Sequence, residues 1–74
     1  MEDEIQDKLD EIYENIKLDV KWRDFGIYDV FFEIQNKKLS VEIYYNNKTT
    51  LEGNITNLVQ KIDNEIAKAF KKEV

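Results

Sequence analysis

Sixteen of the 74 residues are carboxylates, and neither cysteine nor histidine occurs. The carboxylates are therefore the first candidates for chemistry. Carboxylates exchange protons, hold hard cations, or present negative charge to a partner. For proton exchange the candidate pairs are Asp24 with Asp29, which flank a predicted turn, and Asp10 with Glu14, which share a side of a predicted helix. Such work needs a cleft that shifts pKa values. A chain this short offers little room for one, and the sequence reads as a non-enzyme. The acids do not match the spacing of a calcium-binding loop. Without cysteine or histidine there is no disulfide, no Cys/His zinc site and no imidazole catalysis. No cofactor and no metal are expected.

What remains is charge on display. The formal charge is −5. Residues 1–18 hold seven acids (Glu2, Asp3, Glu4, Asp7, Asp10, Glu11, Glu14) against Lys8 and Lys17, leaving nine acids and nine bases for the rest. The whole net charge thus lies on the first segment. Such asymmetry bears on partners and steering. It disfavours direct binding to nucleic acid, whose affinity comes largely from Lys and Arg on phosphates, and favours the basic surface of a larger protein.

The elements that must position these charges follow from periodicity. Ile5, Leu9, Ile12 and Ile16, flanked by Tyr13, recur at helical spacing, with Asp3, Asp7, Asp10 and Glu14 on the opposite side. This predicts a helix over 2–17. Leu18, Val20 and Trp22 alternate with Asp19, Lys21 and Arg23 as a strand, with Trp22 at the core or its edge, until Asp24-Phe25-Gly26 breaks it. Two further alternating runs read as a hairpin. A turn at Asn36-Lys37, or one residue longer, pairs Ile34 with Leu39, Phe32 with Val41, Val30 with Ile43 and Tyr28 with Tyr45. After a loop at 46–50, Gly53-Asn54 reads as a helix start with Asn54 as N-cap. Ile55, Leu58, Val59, Ile62, Ile66, Ala69 and Phe70 form the apolar face of that helix, and Lys61, Lys68, Lys71 and Lys72 lie outside it. The expectation is a single α+β domain over 1–74 with order α-β-β-β-α, in which two helices cover one face of a three-stranded antiparallel sheet.

The other sheet face is expected to be open to solvent, with Phe31 and Tyr44 exposed among Asp29, Glu33 and Glu42. Aromatics beside acids form a candidate contact patch. A thin core also makes a homodimer through this face an expectation. No apolar run approaches the ~20 residues that span a bilayer, and no secretion signal is visible, so the reading is cytoplasmic with no membrane partner. The sequons at Asn47 and Asn54 are accordingly read as chance. The Ile, Lys and Asn bias without proline suggests an AT-rich genome, as in a low-GC bacterium or its phages.

The element order resembles that of the double-stranded-RNA-binding domain. That family grips phosphates with lysines at the start of its second helix, where this chain reads Gly53-Asn54-Ile55-Thr56-Asn57. RNA binding is therefore not expected. In element order, size and charge the chain also resembles small acidic phage proteins that inhibit CRISPR nucleases, a likeness carried best by the segment from Asp29 to Phe70. That resemblance implies a non-catalytic inhibitor that binds a nuclease complex as a nucleic-acid mimic. Asp3, Asp7, Asp10, Glu11 and Glu14 would supply the charge, and Phe31, Glu42 and Tyr44 a second contact. The alternative is a small homo-oligomeric structural or regulatory module.

Overall fold

The computed structural model describes residues 2–71, with side chains from residue 4 onward. The order is α1 (Glu2–Ile12), β1 (Lys17–Trp22), β2 (Ile27–Ile34), β3 (Lys37–Tyr44) and α2 (Leu51–Ala69). The strands form one antiparallel sheet in the order β1-β2-β3, so the α+β arrangement expected from the sequence is the one observed. The core lies between the sheet and the helices. Ile5 and Leu9 come from α1, Leu18, Val20, Tyr28, Val30, Phe32 and Ile43 from the strands, and Ile55, Leu58 and Ile62 from α2. Leu9, Val30 and Ile62 are fully enclosed. In a core this thin, truncating a residue such as Leu9 to alanine costs about 2–5 kcal/mol.

Two boundaries and one register differ from the expected ones. The first helix stops at Ile12 rather than 17. Tyr13 N–H still bonds to Leu9 O, but Ile16 N–H turns back to Tyr13 O, and Lys17 already pairs with Glu33. Ile16 kept the helical spacing by coincidence. It packs against the core from the turn, while Ile12 is half-exposed.

The hairpin register differs by two residues. Ile34 pairs with Lys37, Phe32 with Leu39, Val30 with Val41 and Tyr28 with Ile43. The turn is Gln35-Asn36, with φ of 49° and 68°. Positive φ at both central residues is the pattern of the primed turns whose twist matches that of the strands. A shift of two residues leaves every side chain on its expected face.

The second helix starts earlier, at Leu51, with Thr50 as its cap: Thr50 Oγ1 accepts from Gly53 N–H at 3.1 Å. Gly53 belongs to the first turn, where an added Cβ would stand 3.0 Å from Thr49 Oγ1. Asn54 is not the cap. It is buried, and its amide accepts from Asn46 N–H (2.9 Å) and donates to Asn46 O and Thr50 O (both 3.0 Å). The side chain treats Asn46 as a neighbouring strand would and pins the β3–α2 loop. Leaving those buried groups unpaired would cost about 1–3 kcal/mol.

Candidate functional site

Helix α1 places its acids by burying the opposite stripe. With Ile5 and Leu9 against the sheet, Glu4, Asp7, Asp10 and Glu11 are exposed. Asp7 and Glu11 follow one another by about 6 Å along the axis. The side chain of Asp3 lies outside the described residues. Glu14 does not continue the helical row, because it sits in the turn after α1, exposed but on different backbone. The expected acidic face is therefore two turns of helix with a separate carboxylate beyond its end. The helix is held to the sheet by Gln6, whose Oε1 accepts from Val20 N–H (2.9 Å) and whose Nε2 donates to Leu18 O (3.2 Å) and to Asp10 Oδ1 (3.0 Å). It is held to α2 by Tyr13, whose hydroxyl donates to Asp63 Oδ1 at 2.7 Å. Burial raises the Tyr13 pKa above the ordinary tyrosine value, and the bond to Asp63 and its negative charge push the same way.

The charges divide into two populations. On the outer sheet face three acids are matched by bases: Lys21 with Asp19 (3.4 Å), and Arg23 with Asp29 (3.3 Å) and with Glu42. The hydrogen bond to Glu42 is the main cause that raises the Arg23 pKa. Among the described residues, no lysine or arginine stands at ion-pair distance from Asp7, Asp10, Glu11 or Glu14. Nor does any group of three or more acids gather closely enough there to hold a metal ion.

Phe31 and Tyr44 are exposed on the outer face as expected, at 47% and 66%. They do not form one patch. Phe31 lies between Asp19 and Ser40, and Tyr44 opposite Ile27, with the ion-paired row of Lys21, Asp29 and Glu42 between them. The two rows are about 13 Å apart along the strand. Phe31 instead borders a shallow depression of about 230 Å3 whose rim carries both signs, Lys17 and Lys38 with Asp19 and Glu33. Asp24 sits in the β1–β2 turn, and Asp29 is engaged by Arg23; Asp10 is on α1 and Glu14 beyond it.

Two exposed aromatics stand at the other end of the sheet. Trp22 is half-exposed at the core edge, edge-to-face with Tyr28 at 5.1 Å. Phe25 is 89% exposed with φ of 52°, beside Gly26 at 75°, in a turn closed by Ile27 N–H to Asp24 O. A bulky residue at positive φ is an outlier. The triplet Asp24-Phe25-Gly26 marks the turn in the sequence, but only the glycine signals positive φ there.

No family model, no curated protein and no solved structure matches this chain. Among the described residues no helix is long and apolar enough to cross a membrane.

Proposed function

We propose that the protein is a non-catalytic binding module that docks the acidic side of α1 onto a basic surface of a larger protein. The sharpest form of this reading is an inhibitor that occupies a phosphate-binding groove of a nuclease as a nucleic-acid mimic, in the manner of a phage-encoded anti-CRISPR protein. The observation that carries it is the division of charge. Asp19, Asp29 and Glu42 on the sheet are matched by bases within the fold, whereas among the described residues no base stands at ion-pair distance from Asp7, Asp10, Glu11 or Glu14. Like charges at i,i+4, as in Asp7 and Glu11, destabilise a helix by a few tenths of a kcal/mol. Their attraction for an external cationic surface offsets that loss only in a complex. One-signed surfaces of this kind speed association by about 10–1000-fold, in a manner that salt suppresses.

The test is a pull-down from a low-GC bacterial lysate with the wild type and the Asp7→Lys/Asp10→Lys/Glu14→Lys variant side by side. Circular dichroism checks that both fold. The expected outcome is capture of a nucleic-acid-processing protein by the wild type alone, with release by added DNA. Retention of the same partner by the triple variant would overturn the reading.

A further inference from the structure

The two edges of the sheet are finished differently. Along β1 the backbone groups that point away from β2 belong to Leu18, Val20 and Trp22, since Arg23 N–H bonds to Ile27 O and the direction alternates along the ladder. The Gln6 amide takes Val20 N–H and Leu18 O, as an added strand would. Along β3 the outward groups belong to Lys38, Ser40, Glu42 and Tyr44, by the same alternation read from Tyr45 N–H to Gly26 O. Among the described residues the side-chain bond to this edge is Lys61 Nζ to Glu42 O at 2.9 Å, and a carbonyl oxygen has a second lone pair. Two grooves of about 330 and 320 Å3 run beside the edge beneath α2, sharing Lys61 and Asn64 as lining. Leu39 and Val41, on the inner face at this edge, are only partly buried, while Phe32 and Val30 beside them are enclosed.

We propose that two copies of the chain pair through β3, antiparallel about a two-fold axis at Ser40, into one continuous sheet of twice the width. Charge selects the second copy as occupant and fixes the register. With Ser40 opposite Ser40 of the partner subunit, Lys38 lies opposite Glu42 of the partner subunit on the outer face, twice per dimer by symmetry. That extends the alternation already present across the sheet, where Lys17, Glu33 and Lys38 share one row. A two-fold at Glu42 would set two carboxylates face to face, which is unfavourable. On the inner face Leu39 meets Val41 of the partner subunit, which covers the partly buried pair. Each α1 lies over β1, at the far end of the dimer. The two β1 strands are then about 24 Å apart, well beyond the screening length of about 8 Å at physiological salt. The excess negative charge does not oppose this assembly, which is independent of what α1 binds.

Sedimentation equilibrium on the full chain tests the proposal. The wild type should reach twice the 8.9 kDa chain mass. Ser40→Pro removes an outward N–H, a position where an edge strand tolerates proline, and should give a monomer with an unchanged dichroism spectrum. Lys38→Glu and Glu42→Lys should each weaken self-association by about tenfold or more, as like charges come to face each other. Mixed, they should form a heterodimer, because each then offers the other its complement at both positions. A wild type that stays monomeric at its solubility limit would overturn the proposal. So would a dimer that survives Ser40→Pro but dissociates on Phe31→Glu, which would place the contact on the sheet face. Two charge variants that fail to associate when mixed would reject the register.

Discussion

Tyr13 joins the end of α1 to α2 through its hydroxyl, which donates to Asp63 Oδ1 at 2.7 Å and to Val59 O at 3.4 Å, and the bond to Asp63 has a signature in pH. Its pKa is raised in the fold, by burial first and then by Asp63. A proton held more tightly by the folded state stabilises it fully below the ordinary tyrosine value of about 10, and this contribution disappears as pH rises through the folded value. Stability of the wild type should therefore fall more steeply above about pH 10 than that of Tyr13→Phe, as urea unfolding at stepped pH will show. Parallel profiles would mean that the hydroxyl plays no such part. Neither this bond nor the amide clamps of Gln6 and Asn54 can be read in the sequence. Periodicity marks which residues face the core, but a polar residue at a helix start looks the same whether it caps its own helix or reaches across to another element. Asn54 sat beside Gly53 where a cap was expected, and Thr50 filled that role.

The apolar faces of the three strands and of α2 could be read from the sequence, as could Ile5 and Leu9 of α1, because burying one stripe or one strand face is a strong and repetitive constraint. Their ends could not, since ends depend on single hydrogen bonds. The β2–β3 hairpin shows the difference. Alternation fixes the face but is blind to a slip of two residues, and the turn decides between the registers. Here the turn places Gln35 and Asn36 at positive φ, where non-glycine residues are disfavoured. Replacing the pair by Asn-Gly (Gln35→Asn with Asn36→Gly) keeps the backbone and removes strain, so thermal unfolding should show a gain of about 0.5–2 kcal/mol. A loss of stability would mean that the turn is not of the primed kind. The acidic helix was legible as a helix and as acidic, yet Glu14 fell outside it because β1 begins its pairing at Lys17.

At the scale of the whole molecule the charge belongs to one end, over β1, and the open hydrogen-bonding edge to the other, at β3. The first asymmetry was visible as a run of acids at 1–18. The second was not, because which strand becomes an edge, and whether a side chain covers it, follows only from the packed structure. One consequence concerns time rather than place. Val20 N–H sits on an edge strand, where amide protons ordinarily trade with water almost freely, but Gln6 Oε1 holds it. It can exchange only when α1 lifts from the sheet, so its rate in a hydrogen–deuterium experiment clocks the detachment of the acidic helix. Gln6→Ala should release that amide to the pace of open edge positions while leaving the inner ladder of β2 protected. In the wild type, slow exchange at Val20 would mean that α1 and the sheet open as one cooperative unit, and that the helix meets any partner as a rigid rod.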